Sequence, residues 1–227
     1  MDPLFLTQPL SPSTFLVQII HSSSSFSFPS RFTYPTTILI CGLTQADFLS
    51  ALAQDLSESP PAHSEGLLSP PSLAQLSISR HIRTLFIPTV SHLRAFLSVF
   101  SIHDSKVPPP PPPQPNFSTP PSTQHPPLLV AYNFISSHRD TSEWSIQGLS
   151  STAAALVEAA KREGLRAVIV DSAVIDLNEK IPVLSGSSRR MLGRDAAGGA
   201  TWTGKTAEMN KVIRRWFRLQ ENLGCQQ

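Results

Sequence analysis

The segment Gly199-Ala200-Thr201-Trp202-Thr203-Gly204-Lys205-Thr206 fits the spacing G-x-x-x-x-G-K-T. In that pattern the amides of a glycine-rich turn wrap phosphates, the lysine reaches the terminal ones and the threonine holds magnesium. Gly199, Gly204, Lys205 and Thr206 are therefore candidate nucleotide ligands, and an NTP-binding enzyme built on them is one reading of the chain. The surroundings argue against it. A phosphate-binding turn leaves a buried strand directly, whereas 189–198 is polar and glycine-rich, and only 21 residues follow Thr206. In its favour, Met209, Val212, Ile213 and Trp216 have the spacing of a helix after the turn.

Other catalytic patterns fail on a required residue. His138-Arg139-Asp140 has the order of a kinase catalytic loop, but Ser145 stands five positions after the aspartate where asparagine is needed. There is no G-x-S-x-G elbow for a serine nucleophile, and the seven histidines show no metal-ligand spacing. Cys41 and Cys225 lack a C-x-x-C neighbour and read as reduced intracellular thiols. The expectation is no catalytic residue, no metal and no cofactor. No apolar run is long enough to span a bilayer, and no basic residue precedes the apolar stretch 14–20 as a secretory signal requires. A nuclear or cytoplasmic protein without a membrane is expected.

Charge is unevenly spread. The chain carries +2 overall, yet residues 189–218 hold eight Lys and Arg against two carboxylates. Trp202, Trp216 and Phe217 lie among them. Cations neutralise phosphates and aromatic rings stack on bases, so single-stranded DNA is a natural partner, with Lys211, Arg214, Arg215 and Arg218 the best phosphate contacts.

These residues need a scaffold, and the apolar pattern supplies one. Residues 37–41, 84–87, 128–132 and 167–170 are short continuous apolar runs, read as strands. Helical spacing follows the first three: Phe48, Leu49, Leu52 and Leu56 after Thr44 and Asp47; Leu93, Phe96, Leu97 and Phe100 after Thr89 or Ser91; Leu149, Ala153, Leu156, Val157 and Ala160 after Ser150 or Ser151, ending at Gly164. Unbroken apolar strands alternating with helices predict a mainly parallel sheet covered on both faces. Residues 181–184 make a further strand, and 209–219 fit either helix or strand. Residues 1–35, rich in Ser and Pro, read as mostly disordered, with one strand near 15–20. Eleven of the twenty residues 108–127 are proline. The six consecutive ones extend about 19 Å as polyproline II, so 105–127 is a disordered linker inserted in the domain, or a docking site for a proline-recognition domain. The expected organisation is a disordered 1–35, one α/β domain over 36–219 interrupted by 105–127, and a tail 220–227.

The order of elements from Thr37 to Leu219 resembles the RecA-like recombinase core, most of all the degenerate recombinase paralogues of fungi that assist filament assembly. Thr37 to Leu56 stands in the place of the first strand, phosphate loop and helix, with Gly42-Leu43-Thr44-Gln45 lacking the glycine-lysine-threonine signature. Leu128 to Tyr132 resembles the strand of the second nucleotide motif, with Asn133 where the family ends it with Asp. Gln147 to Ala160 and Ala167 to Asp171 resemble the next helix and strand; Ile181-Pro182-Val183-Leu184 and Trp202 to Leu219 resemble the closing strands, with Lys205 and Thr206 on a strand or hairpin edge. The resemblance implies a three-layer α/β core and a non-catalytic pseudo-ATPase with protein partners in a hetero-oligomer, assisting recombinational DNA repair. A RecA-like subunit of an Elongator-type transfer-RNA modification complex fits the same outline.

Overall fold

The computed structural model describes residues 2–20, 35–58, 76, 79–108, 127–184 and 205–220. The elements in chain order are β1 (Leu4–Leu6), α1 (Pro12–Ile20), β2 (Thr36–Cys41), α2 (Gln45–Glu58), β3 (Ile82–Ile87), α3 (Val90–Val99), β4 (Leu128–Tyr132), α4 (Ile146–Arg162), β5 (Arg166–Val170), β6 (Lys180–Pro182), β7 (Thr206–Glu208), α5 (Met209–Trp216) and β8 (Arg218–Gln220). Six strands form one sheet in the order β3-β2-β4-β5-β1-β8, every neighbouring pair parallel. β6 and β7 form a separate antiparallel pair.

The crossovers sort the helices. The steps β1 to β2 and β2 to β3 move one way along the sheet, and the later ones move back. Right-handed crossovers then place α1 and α2 on one face and α3, α4 and α5 on the other. The packing agrees: α1 touches α2, and α4 touches both α3 and α5. The result is the expected α/β architecture, a mainly parallel sheet between two helical layers.

Each face has its own core. Ile38, Ile40, Val130, Tyr132, Val168 and Val170 point towards α1 and α2, where Phe15 and Phe48 meet them. Phe15 stacks on Tyr132 with ring centres 4.5 Å apart, and Phe48 approaches its edge at 5.9 Å. Leu39, Cys41, Leu129, Ala131, Ala167 and Ile169 point the other way, towards Leu93, Leu97, Leu149, Leu156, Val212 and Ile213. Because both sides of β2 are covered, all six of its residues are buried, which is why the strand reads as an unbroken apolar run.

Five expectations are corrected. Residues 4–6 are a fully buried strand in the sheet, between β5 and β8, and 12–20 are a helix. The domain therefore begins before residue 36, and residues near 15–20 are not a strand. The serines and prolines there are helix-start chemistry: the Ser11 carbonyl accepts the Phe15 N–H, and Pro12 takes the first helical position, where a missing N–H costs nothing. Helix α4 starts at Ile146, ahead of Ser150 and Ser151, because the Ser145 hydroxyl accepts the Gly148 N–H at 3.0 Å. Residues 209–216 are a helix, since Met209, Val212 and Ile213 reach the core only at helical spacing. Of the closing strands expected over Trp202 to Leu219, β7 and β8 are present with α5 between them, and 202–204 lie outside the described residues. The strand β8 ends at Gln220, whose carbonyl accepts the Thr7 N–H, so this residue belongs to the sheet and not to a tail. The proline run 109–126, the rest of the N-terminal stretch at 21–34 and the end at 221–227 lie outside the described residues.

Candidate functional site

In open α/β sheets ligands bind beyond the carboxyl ends of the strands, where neighbouring strands send their crossovers to opposite faces. This sheet has three such places, between β3 and β2, between β2 and β4 and between β5 and β1. At the β3–β2 place the Gly42 N–H donates to the Ile87 carbonyl at 2.8 Å and joins the strand ends; the other two, taken in order, are filled by the chain itself.

At the first, Gly42 turns out of β2 with φ +71°, a conformation that favours glycine. A Cβ here would sit 2.9 Å from the Ser137 Cβ, so the β4–α4 loop presses directly on the turn. Asn133 ends β4 with φ 62°. Its Nδ2 donates to the Cys41 carbonyl at 3.1 Å, and its Oδ1 accepts the Ser172 hydroxyl at 3.0 Å. One amide side chain thus ties the ends of β2, β4 and β5. Phe134 and Ile135, next in the chain, are fully buried.

At the second place, Leu10 of the β1–α1 turn donates its N–H to the Asp171 carbonyl at 2.9 Å and accepts the Tyr132 hydroxyl at 3.0 Å. The Asp171 carboxylate, 2% exposed, accepts the Ile135 and Ser136 N–H groups, each at 3.0 Å. Burial pushes its carboxyl up to about 6, while the two amides and the Arg139 charge pull the other way. The same burial raises the Cys41 thiol and the Tyr132 hydroxyl well above their ordinary ranges, so neither supplies an ionised group at neutral pH.

The helix amino termini along this edge carry the chain's own acceptors. The Asp55 carboxylate of α2 takes the Ser13 N–H of α1 at 2.9 Å, where a helix following a central strand would offer amides to a phosphate. Burial works to raise the Asp55 carboxyl, but the bonds from Ser13 and Ser11 outweigh it and leave it below the ordinary value. Thr44 and Asp47 form a reciprocal cap on α2: the Asp47 N–H donates to the Thr44 hydroxyl at 3.1 Å, and the Asp47 carboxylate accepts that hydroxyl at 2.6 Å. Thr89 and Ser145 cap α3 and α4.

The His138-Arg139-Asp140 segment is structural. His138 is fully buried, and its Nδ1 lies 2.8 Å from the Phe134 carbonyl, which can only accept, so this nitrogen carries the proton. Burial lowers the ring to about 4, leaving Nε2 free to accept the Thr152 hydroxyl at 3.0 Å. Arg94 closes the network, donating to Thr152, Glu143 and the Gly148 carbonyl. Arg139 pairs with Glu179 at 2.7 Å and stacks on Trp144.

The phosphate-loop reading is corrected. Lys205 and Thr206 do not open a helix after a sheet strand. Thr206 begins β7, paired antiparallel with Pro182 of β6, and the Lys205 carbonyl accepts the Val183 N–H at 2.9 Å. The helix starts three residues later, at Met209, so the lysine and threonine cannot present themselves at its first turn. Gly199 and Gly204 lie outside the described residues.

The cations are brought together only in part. Lys211, Arg214 and Arg215 are exposed on the side of α5 opposite its buried Met209, Val212 and Ile213. Arg218 is not on that face. It aligns with Leu4 in the sheet, and Leu4 points towards the α1–α2 layer, whereas α5 belongs to the other. Its neighbour there is Arg166, whose guanidinium it repels. Among the described residues no group of three His, Cys, Asp or Glu side chains could hold a metal, and no helix is long and apolar enough to cross a membrane.

The chain matches no protein-family model, no curated protein and no solved structure.

Proposed function

We propose that this protein is a non-catalytic RecA-like partner that works by surface contact in a hetero-oligomer, in the nucleus or cytoplasm, and assists recombinational DNA repair. One observation carries the non-catalytic part: the crossover-reversal points between β2 and β4 and between β5 and β1 are closed by the chain's own hydrogen bonds, with Asn133, Asp171 and Leu10 spanning the strand ends. A ligand entering there would have to displace buried, satisfied polar groups, and each one left without a partner costs about 1–3 kcal/mol. The nucleic-acid part rests on the solvent-facing cations of α5, together with the resemblance in element order.

The test is paired. A fluorescent ATP analogue is titrated against the full chain and its Lys205→Ala variant, and labelled single-stranded DNA against the full chain and the Lys211→Ala, Arg214→Ala, Arg215→Ala triple variant. The expected result is no saturable nucleotide binding in either protein, and salt-sensitive DNA binding that the triple variant weakens. Nucleotide binding abolished by Lys205→Ala would overturn the pseudoenzyme reading. DNA binding absent even at low salt would remove the nucleic-acid assignment.

A further inference from the structure

We propose that the outer face of α5 grips the phosphate backbone of nucleic acid without stacking bases, and that Asn210 aims Arg214 at a phosphate. The inference rests on the nucleic-acid reading above and narrows it to one chemistry.

Lys211, Arg214 and Arg215 stand three and four positions apart, which puts them on one stripe of a helix. Lys211 is 72% exposed, and among the described residues its ion pair is with Glu208, 3.9 Å away, at the limit of such a pair. Arg214 is held differently. Its Nε donates to the Asn210 Oδ1 at 2.7 Å, and the Asn210 backbone is itself fixed, its N–H donating to the Leu177 carbonyl at 2.8 Å. With Nε engaged, both terminal nitrogens of the guanidinium fork remain available, the arrangement that contacts a phosphate bidentately.

Aromatic stacking is another matter. Among the described residues Trp216 is the ring on this helix beside the stripe, and it is committed. Its Nε1 donates to the Ser150 hydroxyl of α4 at 3.0 Å, its body packs against the core, and Arg215 lies 5.6 Å from the ring centre. Phe217 is buried. Among the described residues the large exposed hydrophobic side chains are all aliphatic. Among the described residues this face carries cations and no free ring; such a face neutralises charge and does not offer a base the platform that distinguishes single strands. It should accept single and double strands alike.

The test measures anisotropy of a labelled single strand and of the duplex of the same length and sequence, across a salt series, with the full chain and four variants. The expected result is affinities for the two forms within about threefold, falling steeply with salt. Arg214→Ala should lower the salt slope by about 0.7–0.9, one phosphate contact. Asn210→Ala, which changes no charge, should weaken binding several-fold with the slope unchanged, and Arg214→Lys should weaken it likewise because the fork is lost. Trp202→Ala should leave both affinities unchanged. A tenfold or greater preference for the single strand, lost in Trp202→Ala, would overturn the inference while leaving the nucleic-acid reading intact. Salt-sensitive binding indifferent to Arg214→Ala and Asn210→Ala would overturn it as well. Failure of either DNA to bind at low salt would take down the underlying reading with it.

Discussion

Asp171 should make this protein more stable as the pH falls, against the usual behaviour of a hydrogen-bonded carboxylate. Its folded-state value is raised from 3.8 to about 6, so the fold disfavours the charged form. The stabilisation is fully present below the unfolded value and is lost as pH rises through about 6. A shift of this size corresponds to about 3 kcal/mol, at 1.36 kcal/mol per unit. His138 works in the opposite sense. Its value is lowered from 6.5 to about 4, so its contribution is present above 6.5 and lost as pH falls through 4, again by about 3 kcal/mol. The two slopes overlap and largely cancel in the unmodified chain, so a simple pH profile would hide both. Asp171→Asn removes one. Urea unfolding of the two proteins from about pH 4 to 7.5 should show the wild type's advantage over Asp171→Asn growing by about 3 kcal/mol towards acid. His138→Gln should show the mirror result, the wild type's advantage shrinking towards acid. A wild-type advantage over Asp171→Asn that is flat with pH, or that grows towards neutrality, would refute the reasoning. It would mean that the Ile135 and Ser136 amides outweigh the loss of water around the carboxylate.

Further substitutions probe the β4–α4 loop. Gly148→Ala would drive its Cβ onto the Glu143 carbonyl oxygen, which is backbone and cannot swing aside; a loss of about 3 kcal/mol or more is expected, read as a lower urea midpoint. Arg94→Met removes three donated bonds from a partly buried guanidinium and should cost about 2–3 kcal/mol in the same assay. Gly42→Ala combines positive φ with contact against Ser137 and should cost about 1–3 kcal/mol.

Strands β2 to β5 and helices α2 to α4 were legible in the sequence because both faces of the sheet are covered. Continuous apolar runs such as 37–41 and 128–132 have no other stable home. Capping was legible where the residues are local, as at Thr44 and Asp47. Two local starts escaped, Ser145 before α4 and Ser11-Pro12 before α1; the rest of what escaped is non-local. The strand β1 is three residues long, and Leu4–Leu6 earns its place only through β5 and β8, which lie more than 150 positions away; no window of sequence carries that signal. The pairing of Asp55 with Ser13 joins two helices and has no spacing rule. Asn133 and Asp171 were visible as strand ends, but their tasks depend on which strands are neighbours. The phosphate-loop spacing was outweighed in the sequence by its polar surroundings, and Lys205 and Thr206 do stand at a hairpin edge, where Thr206 pairs with Pro182.

The same non-local pairing gives the sharpest check on the closed carboxyl edge. Helix α2 buries only Phe48, so its attachment leans on the Asp55 bond to Ser13. Asp55→Ala should cost about 1 kcal/mol, the usual value of a lost helix cap. The effect should fall mainly on α2, whose amides should exchange faster, while those of β2 and β4 change little. The substitution also frees the amino terminus of α1. An anion placed there gains about 0.3–1 kcal/mol from the helix dipole, too little to hold phosphate without further ligands, and the turn before it is occupied by the buried Leu10. Millimolar phosphate should therefore leave the melting temperature of Asp55→Ala where it was. If phosphate instead restored that variant selectively, the β1–α1 turn would be a working anion site that Asp55 merely covers, and the case for a protein without nucleotide chemistry would have to be rebuilt from that turn.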